Sequence, residues 1–187
     1  MIEILPETGS TNADLAGRLR RGDALAEGFW LIADRQTAGR GRQGREWFDG
    51  AGNFMGSTLA HVRSGDPPPA TLALVAGLAV HGAVADASPG VPGLRLKWPN
   101  DLMAGTAKLA GILLERQEDT VIVGIGVNLA AAPELPGRDT AALAAWGQAS
   151  DRDAFAAILM EHFARELARW RSAGLRQVLR RWATVAH

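Results

Sequence analysis

Two apolar segments, Lys108 to Arg116 and Thr120 to Leu129, are separated by only three residues, Gln117-Glu118-Asp119. So short a connection can join strands only as antiparallel neighbours, because a parallel pair needs a crossover of about a dozen residues or more. The middle of the chain is therefore committed to a hairpin. Shorter strand-like runs flank it at Glu3 to Leu5, Phe29 to Ala33, Asn53 to Ala60, Leu94 to Trp98 and Leu102 to Ala104. Helical signals are interleaved. Thr11 and Asp14 have capping-box spacing ahead of Leu15 and Leu19, and Thr71 to Ala87 is apolar on nearly every side, as in a buried helix. A short helix is expected over Asp139 to Trp146. Phe155, Ile158, Leu159, Phe163, Leu167 and Trp170 then line one face of an amphipathic helix over Asp151 to Arg171, and a last helix is expected over Leu175 to Ala186. The order predicts an α+β fold with a mixed, largely antiparallel sheet rather than a doubly wound parallel one.

Composition removes several function classes. Lys+Arg and Asp+Glu balance at 20 each, which argues against a nonspecific nucleic-acid binder. There is no cysteine, so thiolate metal sites and thiol nucleophiles are excluded, and the four histidines stand too far apart in sequence for a zinc motif. No signal-peptide pattern opens the chain. The apolar stretch Ala70 to Ala85, interrupted by Gly77, His81 and Gly82, is expected to fall short of a membrane span, so no membrane association and a cytoplasmic location are expected.

The segment after the second strand is the chemically unusual one. Gly39, Gly41 and Gly44 alternate with Arg40, Arg42 and Arg45, so a pliable backbone carries three guanidinium forks. Such a loop either clamps a phosphate-bearing or carboxylate-bearing ligand or is a solvated basic tip. It formally matches the dinucleotide fingerprint, but the glycine-rich continuation through Gly50 and Gly52 does not suit the helix that fingerprint requires. The arginine bias makes the two lysines, Lys97 and Lys108, conspicuous. Both fall inside further motifs.

Those motifs are Gly9-Ser10-Thr11-Asn12, Gln36 to Arg45, Lys97-Trp98-Pro99-Asn100-Asp101, Lys108-Leu109-Ala110-Gly111-Ile112-Leu113-Leu114-Glu115 and Gly124-Ile125-Gly126-Val127-Asn128. As an ordered set they resemble the catalytic domain of biotin protein ligase, biotin–[acetyl-CoA-carboxylase] ligase, over almost the whole chain. The resemblance implies a fold similar to that of class II aminoacyl-tRNA synthetases and biotin ligases. It implies a single catalytic domain over residues 1–187, without the N-terminal DNA-binding region or the C-terminal small β-barrel that other members carry. It also implies the activity: biotin and ATP, with Mg2+, give biotinyl-5′-adenylate, and biotin then passes to a lysine of a biotin carboxyl carrier protein. No nucleic-acid partner is implied, and homodimerisation is left open.

Carried over by motif, Lys108, Arg40 and Arg42 would be catalytic. Ser10, Thr11, Gln36 and Gly39 would join them around biotin, with Gly111 and Gly126 letting backbone approach its rings. Arg45, Trp47, Lys97, Asn100, Asp101 and Asn128 would form the ATP side, and Asp101 is the candidate carboxylate for Mg2+. Without the resemblance, Trp47 and Trp98 would be read as core, Gly124 and Gly126 as marks of a bulged strand, and Lys108 as a solvated hairpin end. A lipoate- or octanoyl-protein ligase and a non-catalytic biotin-binding protein are the alternatives. Five glycines between Gly39 and Gly52 make the loop costly to fix, and residues 37–53 are expected to order only around a ligand.

Overall fold

Strand β1, Ile2–Leu5, lies parallel to β2, Trp30–Ala33, and the crossover that a parallel pair demands is helix α1, Thr11–Arg20. Every later pairing is antiparallel. β3 (Phe54–His61), β4 (Leu94–Lys97), β5 (Asp101–Ala104), β6 (Ala107–Gln117) and β7 (Thr120–Val127) complete a seven-stranded sheet in the order β1-β2-β3-β7-β6-β5-β4. The predicted hairpin is β6–β7, which turns through Glu118 at φ 50. This architecture is that of a computed structural model, which describes residues 1–147 and 151–187.

The alternation of side chains along the central strands gives the sheet two unlike faces. One carries Trp30, Ile32, Phe54, Val121, Val123, Ile125 and Val127 against helix α2, Leu72–Ala87, and helix α3, Arg152–Thr184. Trp30 meets Phe54 and Phe163 edge-on at 6.2 and 5.7 Å, and Phe54 meets Phe155 at 5.7 Å. Burying each such ring contributes roughly 1.5–3 kcal/mol. On the other face α1 covers only one end, packing Leu15 and Ala16 on Leu31, Leu59 and Ile122. The rest of that face stays open, and the site lies there.

Several expectations are corrected. The capping box at Thr11 does not form: Ser10 is the N-cap and makes no side-chain cap bond, while Asp14 accepts from Thr8 Oγ1. Asp139 to Trp146 is not a helix but an extended stretch ending in a 3-10 turn at Leu143–Trp146, because Asp139 and Ala141 spend their backbone groups on Lys108. The two late helices, by contrast, stand as expected, meeting within α3 at a non-helical Gly174, φ 73, and Asp151 caps the first by accepting from the Asp153 and Ala154 N–H groups. Pro69–Ala87 is in fact long and apolar enough to cross a membrane, but 56% of that stretch is buried between sheet and α3.

Candidate active site

The open face is floored by glycine. Gly111 of β6 stands opposite Gly126 of β7, in unbroken register rather than at a bulge, and Gly124 lies two residues along from Gly126. A Cβ on Gly126 would lie 2.2 Å from Trp47 Cε2, and one on Gly111 2.8 Å from Trp47 Cζ3. The two glycines thus make room for the Trp47 indole, where the sequence had put biotin. Trp47 Nε1 is buried and has no hydrogen-bond partner among the described residues.

Around that indole is a cavity of about 1240 Å3, larger than the roughly 300–1,000 Å3 that holds one small ligand. At one end lie Ser10, Thr11, Asn12, Gln36 and Ser57, all buried. Thr11 N–H donates to Gln36 Oε1 at 2.8 Å, which leaves the Gln36 amide nitrogen free toward the cavity. Gly39 sits tightly beside it, since a Cβ there would lie 3.3 Å from Gln36 Nε2 and 3.1 Å from Trp47 O.

The arginine-glycine loop arches across the opening. Gly41 N–H reaches Arg45 O at 2.7 Å and Trp47 N–H reaches Gly39 O at 3.0 Å, which closes a small arch. Its apex turns through Gln43 at φ 60 and Gly44 at φ 71. From the arch Arg42 reaches Asn100 Oδ1 at 3.3 Å on the far rim, and Arg40 and Arg45 also line the cavity. Its return limb is tied down. Asp49 accepts from Gln36 N–H at 2.9 Å. Asn53, only 2% exposed, accepts from the N–H groups of Leu129, Ala130 and Ala131 at 3.0, 3.0 and 3.1 Å. Sequence reasoning passed over Asn53; its place between a loop and a strand was the available signal.

Lys108 reaches the cavity through a bulge. The β5–β6 register skips Leu109, pairing Leu102 with Ala110 and Met103 with Lys108. Leu109 and Ala110 therefore both enter the core, and Lys108 turns onto the face of Gly111. Backbone bonds to Asp139 O at 2.8 Å and from Ala141 N–H at 3.0 Å hold it there. Its ammonium pairs with Asp101 at 2.7 Å and lies 5.7 Å from the Trp47 ring centre. Asn128, 2% exposed, gives its amide N–H to Ala141 O at 3.1 Å, and its Oδ1 has no partner among the described residues.

Of the residues read from sequence, Lys97 alone stands apart. It ends β4, the outermost strand, and its side chain is exposed to solvent outside the cavity. Trp98 is neither core nor cavity: it is 68% exposed and meets Trp182 edge-on at 6.2 Å. Asp101 is engaged by Lys108, and among the described residues no three His, Cys, Asp or Glu side chains gather as a metal site. Arg138, which the sequence reading did not single out, lies on the outer rim.

The fold and this cavity define an α+β domain with one broad, glycine-floored cleft rimmed by Arg40, Arg42, Arg45 and Lys108. The model of the Biotin/lipoate A/B protein ligase family matches residues 8–129, and the chain belongs to that family. It is 37% identical over 194 residues to the biotin–[acetyl-CoA-carboxylase] ligase of Paracoccus denitrificans, spanning 98% of this chain and 80% of that one. It is 41% identical over 177 residues to the Mycobacterium tuberculosis ligase of the same name, spanning 92% and 66%. Among solved structures, Aquifex aeolicus biotin protein ligase in complex with biotin and ATP superposes with a TM-score of 0.87 at 29% identity, covering 99% of this chain and 78% of that one. The Leishmania major enzyme with biotinyl-5-AMP gives 0.84 at 25% identity, covering 100% and 81%.

Proposed function

We propose that this protein is an ATP-dependent biotin–protein ligase, cytoplasmic, acting on a lysine of a biotin carboxyl carrier protein. The observation that carries the reading is the division of one large cavity by Trp47. A neutral end, with Thr11, Gln36 and Ser57, suits a polar uncharged ring, and a cationic end, with Arg40, Arg42 and Lys108, suits anions. The names of the relatives and the ligands of the solved neighbours support the same assignment.

In the first step a carboxylate oxygen of biotin attacks the α-phosphorus of ATP, a P–O bond forms, and the bond to the departing pyrophosphate breaks. Two anions must meet, so fixed cations lower the barrier where charge builds up. Lys108 and the two arginines fill that role, and the arch that carries Arg40 and Arg42 would shield the mixed anhydride from water. In the second step the carrier's lysine amine, having lost its proton, attacks the acyl carbon and AMP leaves. Magnesium would come with ATP, and because it prefers phosphate oxygens with one or two carboxylates, Asp101 is the side chain that would contribute to its shell. Asn128 Oδ1 and Trp47 Nε1, buried with no partner among the described residues, would serve as an acceptor and a donor for the nucleotide side.

The test is incubation with biotin, MgATP and a biotin carrier domain, followed by intact mass of the carrier. One added biotinyl group supports the reading. Modification by lipoate or octanoate and not by biotin would assign the other branch of the family. Adenylate without carrier modification would leave a binding protein.

A further inference from the structure

Behind the neutral end of the cavity runs a chain of hydrogen bonds that none of the matched motif roles uses. Thr11 Oγ1 lies 2.6 Å from Ser57 Oγ, Ser57 Oγ lies 2.6 Å from Asn12 Oδ1, and Asn12 Nδ2 lies 2.7 Å from Glu115 Oε2. Ser57 is fully buried and Asn12 is 4% exposed. The slot is built for Asn12, since a Cβ on Gly124 would lie 2.4 Å from its Oδ1. We propose that Glu115 is a positioning residue that sets the proton direction of this chain, so that the cavity presents a hydrogen-bond acceptor at Thr11 and selects a ring bearing an N–H, such as a cyclic urea.

A carboxylate can only accept, so Asn12 must turn its NH2 toward Glu115 and its carbonyl oxygen toward Ser57. Ser57 then has to donate its one proton to Asn12, and its contact with Thr11 requires Thr11 to be the donor. Gln36 Oε1, 3.1 Å from Thr11 Oγ1, already accepts the Thr11 N–H, and the shorter contact to Ser57 takes the hydroxyl proton. What faces a ligand is therefore fixed: lone pairs on Thr11 and N–H donors on Gln36. A cyclic urea offers the complement, N–H and C=O side by side, whereas an aliphatic or dithiolane acid offers neither. The inference rests on reading this cavity as the biotin site.

The variant Glu115→Gln keeps shape and volume but can donate as well as accept, so Asn12 is no longer forced into one orientation. The expected result is a KM for biotin raised about tenfold, the loss of one well-directed hydrogen bond, with kcat and the KM for ATP within about twofold of wild type. Desthiobiotin, which keeps the urea, should shift by the same factor. Ser57→Ala should raise the biotin KM similarly, and adding Glu115→Gln to it should change nothing more, because the relay is already cut. An unchanged biotin KM in Glu115→Gln overturns the proposal. So does a parallel rise in the ATP KM with a lowered melting temperature, which marks a mere prop, or additivity with Ser57→Ala. A wild-type protein that forms no adenylate from biotin and ATP would instead overturn the ligase reading itself.

Discussion

Lys108 shows how much one residue's position depends on its neighbours. Strict alternation along β6 would bury it with Ala110; the extra residue Leu109 turns it over, and Asp101 holds its ammonium at 2.7 Å. Lys108→Ala is expected to lower the rate of pyrophosphate release by about two to three orders of magnitude, as loss of a charge-stabilising donor does, with little change in melting temperature. A folded variant that releases pyrophosphate at the wild-type rate contradicts the role. Gly126→Ala tests the seat of the indole: its Cβ would overlap Trp47 Cε2 at 2.2 Å, so Trp47 must leave the floor. Binding of biotin and ATP should weaken together by tenfold or more, read by calorimetry; unchanged affinity for both removes Trp47 as the divider. At this scale the motifs exposed the chemistry-bearing residues but not their geometry. Lys97, like Lys108, fell inside a matched motif and was assigned to the ATP side, and only the strand order separates an edge from a floor. The relay from Thr11 to Glu115 depends on a bond between Asn12 and Glu115, 103 residues apart in sequence, and was not legible at all.

The elements themselves were largely legible, because apolar alternation and the three-residue hairpin carry local information. The boundaries of β2, β3 and β6 shift by one residue at most from the sequence reading at their starts. Failures came where long-range bonds overrode local signals, as when Asp139 and Ala141 gave their backbone groups to Lys108 instead of a helix. Helix α3 was read correctly as two segments, and its bend is held by Glu166, 3% exposed, which accepts from Arg169 on one side of Gly174 and Arg181 on the other. Arg171, one turn before the bend, fastens α3 to the turn ahead of β2 through two 2.6 Å bonds to Glu27 and to the end of β3 through His61 O at 2.7 Å. Burial pulls the Glu27 carboxyl upward, but Arg171, the His61 N–H and Arg63 outweigh it and hold it below its ordinary value. A carboxyl lowered by folding stabilises the protein above its unfolded pKa, about 4.3 for glutamate, and that contribution fades as pH falls through the folded value. Glu27→Gln should therefore cost roughly 1–3 kcal/mol near neutrality and make unfolding midpoints less sensitive to pH as it falls from about 5 through the folded value. Equal pH sensitivity in the two proteins would exclude Glu27 as a source of acid lability.

For the molecule as a whole, a large core on one face of the sheet supports a nearly bare glycine floor on the other, and the arginine arch is what closes that floor. The sequence led us to expect the whole of residues 37–53 to order only around a ligand, but the structure divides the segment. From Trp47 onward it is anchored: the indole rests on Gly111 and Gly126, Asp49 takes the Gln36 N–H, and Asn53 gathers the strand end at Leu129 to Ala131. The arch from Arg40 to Glu46 is exposed over most of its length and crosses the cavity on one 3.3 Å contact from Arg42 to Asn100. Its three guanidiniums repel one another until an anion pairs with them, and Gln43 and Gly44 both hold left-handed conformations at the apex. Hydrogen exchange should therefore show fast exchange over residues 40–46 and strong protection over 47–53 in the free protein. Biotinyl-adenylate should slow the first group by at least tenfold and leave the second unchanged, while biotin alone should slow it less, since it brings no phosphate or nucleotide for the arch to close over. Protection of 40–46 that is already strong without ligand would make the arch a fixed scaffold, and its part in retaining the adenylate would have to be abandoned.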